Sequence, residues 1–161
     1  MRSKANKRLH AKAFTLVELI VVIVIVGVIG TIAMPRFFDT GAFAERGYYE
    51  ELAAALSSAR ATAVATGCPV RFVLTGAGFT ATQQQALAGR CDPSDATWPQ
   101  PVSLADGSTL SGSTPSGVSV AGTTTIIFDA LGSTGLGSNH VVGIGPYSLT
   151  INAASGYVET S

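Results

Sequence analysis

A nearly uninterrupted apolar run lies close to the start of the chain. From Phe14 to Ala33 the sequence has 20 residues, of which Thr15, Glu18 and Thr31 are polar. A helix of this length would be roughly 30 Å long, which matches the hydrocarbon core of a bilayer. The run predicts a transmembrane helix over residues 14–34, since a cleaved secretory signal has a shorter apolar core of about 7–15 residues.

After the apolar run, the apolar residues fall on only one face of a helix. This predicts that the helix continues as an amphipathic segment over residues 35–66. Apolar residues recur there at spacings of three and four. They are Tyr48, Leu52, Ala55, Leu56, Ala59, Ala63 and Val64. Pro35 is expected to kink the helix rather than end it. Gly67 is suited to a left-handed C-cap, and Pro69 cannot continue the helix.

From residue 67 to 161 the apolar positions alternate and glycines separate the runs, which predicts a β-rich globular domain. "VRFVLT" and "FTATQ" flank Gly76 to Gly78 and predict a hairpin. "TTIIFDALG", "HVVGIG", "YSLTIN" and "GYVETS" predict further short strands. Residues 89–122 are rich in Ser, Thr, Gly and Pro, and form either a surface loop or a loosely held strand pair. The expected fold class is α+β, a long N-terminal helix packed on a small, mainly antiparallel sheet.

Charge gives this arrangement a direction in the membrane. Half of the ten Lys and Arg residues precede Phe14, and no acidic residue lies among them: Arg2, Lys4, Lys7, Arg8 and Lys12. The positive-inside rule keeps this end in the cytoplasm and places the remainder outside. A nucleic-acid-binding or solvated tail is the alternative, but the position of the cluster beside an apolar run favours topology.

Glu18 is the unexpected residue of the apolar run. An unpaired carboxylate in lipid costs several kcal/mol, so an intramembrane Glu indicates a function and a partner. No Lys or Arg lies between Phe14 and Met34. The other conceivable partner is an α-amino group, created by a cut just before Phe14 and about one helical turn from Glu18.

These residues carry a resemblance to a known family. "AFTLVELIVVIVIVGVIGTIAMPRFFD" resembles the class III signal of type IV pilins and type II secretion pseudopilins. The resemblance implies that prepilin peptidase cuts between Ala13 and Phe14, that the Phe14 amine is methylated, and that Glu18 pairs with the N-terminus of an adjacent subunit. The family normally has Gly in place of Ala13, and cleavage is still expected because Ala is also small.

The resemblance extends more weakly beyond the run. "YYEELAAALSSARATAVATGCPVRFVL", "TIIFDALG" and "GYV" are similar to the globular region of GspH and FimT proteins, and "MPRFFD" with Cys68-Pro69 is most similar to a minor pilin of mannose-sensitive haemagglutinin pili. It implies a single-pass inner-membrane protein with a periplasmic globular domain that enters a pilus or pseudopilus, near the tip. Implied partners are other pilins or pseudopilins, prepilin peptidase, the inner-membrane assembly platform and, before assembly, membrane lipid.

Removal of the 13-residue leader leaves five Arg residues against ten acidic ones, a formal net charge of −5. Such a balance argues against sequence-independent DNA binding, although Arg71 and Arg90 could still form a local nucleic-acid contact.

Cys68 and Cys91 both fall on the expected outer side, where oxidation is favoured, so a disulfide is predicted and two free buried thiols are the alternative. The cysteines show no close ligand pairing with His10 or His140, so no metal or other cofactor is expected.

Catalysis has no positive support in the sequence. "GAGFTA" matches a dinucleotide fingerprint, but no βαβ repeat surrounds it and a hairpin turn explains it better. Asp92 and Asp95 are interpreted as turn residues, and Trp98 as a loop anchor in preference to an exposed contact residue. A lone His140 does not complete a catalytic triad.

Three functions remain. The first is a minor pilin that assembles into or primes a type IV pilus for adhesion or motility. The second is a type II secretion pseudopilin of GspH type. The third is a DNA-binding minor pilin of an uptake pilus, which the acidic balance disfavours.

Overall fold

The computed structural model describes residues 15–33, 40–87, 90–92 and 94–161. The chain divides into two compact units, one ending at Asp39 and the other running from Thr40 to Ser161. The first contains helix α1, Leu16–Ala33. Ala13, Phe14 and Pro35 lie outside the described residues, so the cleavage site and the kink stay predictions.

The second unit begins with helix α2, Thr40–Thr66, which is followed by eleven strands among its described residues. The strands are β1 (Val70–Thr75), β2 (Gly78–Gln83), β3 (Ala86–Leu87), β4 (Arg90–Cys91), β5 (Gln100–Pro101), β6 (Ser111–Ser113), β7 (Val120–Ala121), β8 (Thr124–Phe128), β9 (His140–Ile144), β10 (Tyr147–Ile151) and β11 (Val158–Thr160). One sheet has the order β5-β2-β1-β8, with β6 also pairing with β2, and a second has the order β11-β10-β9-β7. Strands β3 and β4 form a separate pair.

All these pairings are antiparallel, and α2 packs against strands of both larger sheets. This arrangement confirms the predicted α+β class. The predicted hairpin is also present, because β1 pairs with β2 from Val70↔Gln83 to Thr75↔Gly78. Alternation of side chains across a strand then gives each sheet one face toward α2 and one face outward.

The apolar face of α2 enters the core almost as the spacing predicts. Its buried residues are Tyr48, Tyr49, Leu52, Ala55, Leu56, Ala59 and Ala63. Val64 was expected on this face, but 48% of it is exposed. The reason is geometric, since a residue one position after Ala63 is rotated about 100° around the helix. The buried partners of α2 in the sheets include Phe72, Phe128, Ile144 and Leu149.

Residues 89–122 form neither a free loop nor a single strand pair within the part that the structure describes. They supply β5 and β6 to the edge of the first sheet and β7 to the edge of the second. Strand β4 folds back on β3. The region therefore pairs with three strands, β2, β3 and β9. Its own sequence pattern does not indicate these pairings.

Arg60 ties the second half of α2 to two turns of the sheet region. Its Nε atom donates to the backbone oxygens of Gly132, at 3.1 Å, and Ser155, at 2.9 Å. Both acceptors are carbonyls at turns, which lack sheet partners and benefit from a charged donor.

Candidate functional site

Glu18 lies in the first turn of α1, where it is part of a helix cap. The backbone N–H of Glu18 donates to Thr15 Oγ1 at 3.2 Å. Thr15 precedes the first helical residue and Glu18 occupies the third helical position, the spacing of a capping box. A carboxylate here also interacts favourably with the positive end of the helix dipole. The Thr-x-x-Glu spacing was readable in the sequence and was missed there.

The carboxylate of Glu18 is exposed, and no described residue forms an ion pair with it. It is therefore available to a cation from outside the described part of the chain. The pairing of Glu18 with an amine therefore stays a prediction.

Helix α1 presents apolar side chains all around its axis. Its large apolar residues are between 46% and 73% exposed, from Ile20 to Leu16. A helix without a polar face is stable in water only when other apolar groups cover it. Within the described ranges, no helix meets the combined requirements of length and apolarity for a candidate membrane span.

The predicted disulfide between Cys68 and Cys91 is present. Gly67 follows α2 with φ +65°, as expected for the left-handed cap that the sequence indicates. Cys68 comes next and is buried. Cys91 ends β4, and the two Cα atoms are 5.3 Å apart. The bridge holds the end of β4 against the residues that follow α2.

Asp92 and Asp95 serve as turn residues in the same segment, as interpreted from the sequence. Asp92 accepts the N–H of Ser94 at 2.9 Å. Asp95 accepts the Thr97 hydroxyl at 2.6 Å and the backbone N–H groups of Thr97 and Gln85 at 2.8 and 2.9 Å. These bonds, with the Thr97 hydroxyl foremost, lower the pKa of Asp95 below its ordinary value.

Arg71 and Trp98 meet on the outer face of the first sheet. Arg71 alternates with the buried Val70 and Phe72 and so points away from α2. Its Cζ atom lies 5.4 Å from the centroid of the Trp98 ring, a distance at which a guanidinium interacts favourably with an indole. Trp98 was expected to be a loop anchor packed on the core, but it is half-buried and its ring contacts Arg71 on the outer face of the sheet instead.

The second arginine proposed for nucleic-acid contact is not joined to this pair by any described contact. Arg90 lies in β4, and only its backbone is described. His140 Nε2 is 2.8 Å from the Gly122 carbonyl oxygen, a contact between β9 and the turn before β8. Among the residues that the structure covers, no group of three His, Cys, Asp or Glu could hold a metal ion.

Comparison with known families now defines the class of protein. Residues 49–158 match the family described as type II transport protein GspH. Residues 8–34 match the prokaryotic N-terminal methylation motif. Because the first match covers more than half of the chain, the chain belongs to the GspH family. This confirms the predicted pilin-like class, whose members are structural subunits of a pilus or pseudopilus.

Two individual proteins are similar to this chain. The chain is 46% identical over 63 residues to the type IV narrow pilus major component PilA5 of Thermus thermophilus, a match that covers 38% of this chain. The chain spans about half the length of this curated relative, 54%. The crystal structure of the type IV minor pilin FimU of Pseudomonas aeruginosa is similar with a TM-score of 0.49 at 15% identity, over 72% of this chain and 91% of FimU.

Proposed function

We propose that this chain is a minor pilin that assembles into, or primes, a type IV pilus through its N-terminal helix and Glu18. The observation that carries the proposal is the single carboxylate in the first turn of α1, a helix whose apolar side chains surround its axis. The methylation motif and the GspH family supply the context. Because this class consists of structural subunits, the proposal includes no catalytic role for the chain.

The proposed sequence of events starts in the inner membrane. The basic leader stays in the cytoplasm, residues 14–34 span the bilayer, and the unit from Thr40 to Ser161 faces the periplasm. Prepilin peptidase then hydrolyses the Ala13–Phe14 bond, and the new Phe14 amine is methylated. The assembly platform and the pilins already in the filament are the partners of the next step.

Glu18 acts at that step. In lipid its carboxylate has no described partner, whereas the amine of a neighbouring subunit would neutralise it in the filament. The Coulomb attraction between two opposite charges is far stronger in a medium of low polarity than in water, so a carboxylate that is already in lipid gains from an amine beside it. The pairing would favour entry of the subunit into the filament in one register.

The capping box allows this role of Glu18 to be separated from its local role. Glu18→Gln keeps a residue that can complete the box but removes the charge. Thr15→Ala removes the Oγ1 acceptor but keeps the charge. We expect Glu18→Gln to reduce incorporation into sheared pili at least about tenfold, equivalent to about 1.4 kcal/mol, and Thr15→Ala to leave it within a few fold.

The measurement is the ratio of this subunit in sheared pili to that in the membrane fraction, by immunoblot, with cleavage followed by the loss of the leader mass. Wild-type incorporation of Glu18→Gln would contradict the pairing. Equal losses in both variants would assign the effect to the helix cap instead.

A type II secretion pseudopilin is the second candidate, and membership of the family of type II transport protein GspH favours it. The two functions predict different effects of deleting the gene. Loss of surface pili with normal secretion supports the minor pilin, and retained pili with loss of protein secretion supports the pseudopilin.

A further inference from the structure

On the outer face of β1 and β2, Arg71 carries a positive charge that no described carboxylate neutralises. The surface in question, called here the Arg71 surface, consists of Arg71, Val73, Thr80, Thr82 and Trp98. Arg71 lies opposite Thr82 in the register, and Val73 lies opposite Thr80. No carboxylate of the described residues lies within ion-pair distance of the Arg71 guanidinium.

Two buried polar atoms on this surface lack partners. Arg71 Nε and Thr82 Oγ1 are inaccessible to solvent and form no hydrogen bond with any described residue. Native proteins rarely leave such atoms unsatisfied, and the exceptions often mark functional positions. Here both exceptions belong to one cross-strand pair, and the Arg71 guanidinium of that pair lies against the Trp98 ring.

The backbone at Trp98 adds a third observation. Trp98 has φ +55°, and it is the one residue other than glycine with a positive φ in the described part of the chain. A bulky residue in this region is strained, and strain of this kind is retained where the surroundings over-determine it. The Cys68–Cys91 bridge and the hydrogen bonds of Asp95 constrain the segment that leads to Trp98.

A cavity of about 240 Å³ lies at the hairpin end of the same two strands. It is lined by Val73, Thr75, Ala77, Gly78, Phe79, Thr80 and Gly112. Val73 is two residues from Arg71 on the same face, which is about 6.5 Å along the strand. An extended peptide places alternate side chains at this same interval.

The net charge of the unit and the partners of its other arginines indicate which kind of anion Arg71 could bind. The unit from Thr40 to Ser161 has four Arg and eight acidic residues, a formal net charge of −4. Arg46 is paired with Glu50, and Arg60 is bonded to two carbonyls. A polyanion such as DNA is bound by several cations acting together, whereas one guanidinium is sufficient for one carboxylate.

We propose that the Arg71 surface binds an extended acidic segment of a protein partner. A carboxylate of that segment pairs with the exposed end of the Arg71 guanidinium, and an apolar side chain two positions away fills the cavity beside Val73. Trp98 is a positioning residue that holds the plane of the guanidinium. This interaction is independent of Glu18, so its failure would leave the proposed assembly role intact.

Trp98 is the single tryptophan of the sequence, so intrinsic fluorescence reports directly on this surface. The full chain in a zwitterionic detergent is titrated with blocked pentapeptides TLTDT and TDTLT, which place Leu and Asp two positions apart in both orders. The matched control is TLTNT, which differs by the charge of one side chain. We expect a saturable change with at least one acidic peptide and binding at least about tenfold weaker for TLTNT.

Variants test the location of the contact. Arg71→Gln is expected to weaken binding at least about tenfold, and Arg71→Lys to weaken it less because the charge remains without the planar fork. Arg46→Gln, which removes the same charge from an exposed helix position, should leave the affinity within about twofold. Circular dichroism confirms that each variant is folded.

The proposal fails if TLTDT, TDTLT and TLTNT bind equally, or if none of them binds. It also fails if Arg46→Gln weakens binding as much as Arg71→Gln, since net charge would then be responsible. A short DNA duplex is titrated over a range of salt concentrations in parallel. Salt-sensitive duplex binding that Arg71→Gln abolishes, without peptide binding, would assign the surface to nucleic acid instead.

Discussion

At the scale of the residue, the same side chain can have one role in the isolated chain and another in an assembly. The backbone N–H of Glu18 donates to Thr15 Oγ1, and the Thr-x-x-Glu spacing is that of a capping box, a local interaction that any water-exposed helix could use. Its position in an otherwise apolar run is what indicates a second role, because capping alone does not require a charge. A Gln at this position would serve the cap equally well.

Asp95 illustrates how a carboxylate stabilises a turn in a pH-dependent way. Its bonds to Thr97 and Gln85 depress its pKa below the ordinary 3.8, so the stabilisation is fully present above pH 3.8 and is lost as the pH falls through the lower, folded-state pKa. We expect Asp95→Asn to lower the melting temperature at pH 7. The difference from the wild type should shrink as the pH falls below 3.8.

Thermal unfolding followed by circular dichroism from pH 2 to pH 7 measures this difference, in steps of about half a unit. Asp106→Asn is a useful comparison, because hydrogen bonds from Ser108 lower the pKa of Asp106 in a separate turn. A destabilisation by Asp95→Asn that did not vary with pH would show that geometry, and not charge, is what the turn requires.

Thr82 is expected to be less favourable than an apolar residue at its position. Its Oγ1 atom is buried without a hydrogen-bond partner among the described residues, which leaves the cost of desolvation uncompensated. Thr82→Val should raise the free energy of unfolding by about 1 kcal/mol, measured by urea denaturation. Thr80→Val, on the same face but exposed, should change it by less than about 0.5 kcal/mol. A destabilised Thr82→Val would reveal a partner for the hydroxyl in solution.

At the scale of the element, the β1–β2 hairpin depends on one glycine of its "GAG" turn more than on the other. Gly78 has φ +147°, and a Cβ atom there would collide with the backbone oxygen of Gly112 in β6. Gly76 has open space around it. The two positions look equivalent in the sequence and differ because β6 pairs with β2 at Gly78↔Ser113.

Alanine substitutions measure this difference. Gly78→Ala should lower the free energy of unfolding by about 2–4 kcal/mol, through backbone strain and displacement of β6. Gly76→Ala should change it by no more than about 1 kcal/mol. Urea denaturation of both variants provides the test. Similar free energies of unfolding for the two would mean that β6 moves away from the added Cβ atom without loss of stability.

At the scale of the whole molecule, the disulfide joins the end of α2 to a region that otherwise has only short strands. The sequence separation of Cys68 and Cys91 is 23 residues, and closing a loop of this size restricts the unfolded chain. Replacement of both cysteines by alanine should lower the free energy of unfolding by about 3 kcal/mol.

The measurement is urea denaturation of the double variant beside the wild type with and without reductant. Reduced wild type and the double variant should unfold at similar urea concentrations. If both matched the oxidised wild type, β5 and β6 would be sufficient to hold the region without the bridge.

Local patterns predicted the elements whose partners are near in sequence. The spacing of Tyr48, Leu52 and Leu56 predicted the buried face of α2, and alternation around Gly76 predicted the hairpin, because both depend on the geometry of one or two adjacent elements. Val64 fell just outside the face through a rotation that spacing resolves poorly. The short strands within residues 89–122 were not predictable, since their pairing is with distant strands.

The sequence by itself determined the apolar run, its lone carboxylate and the basic residues before it, because charge, length and spacing are local properties of the chain. The resemblance of this stretch to the class III signal then indicated the class of protein. Only the tertiary structure brought the Arg71 guanidinium against the Trp98 ring and left Thr82 Oγ1 without a hydrogen-bond partner among the described residues. These residues come from a strand and a segment whose approach is set by long-range pairing and by a disulfide. A side chain's neighbours across a sheet depend on register, which the fold as a whole decides.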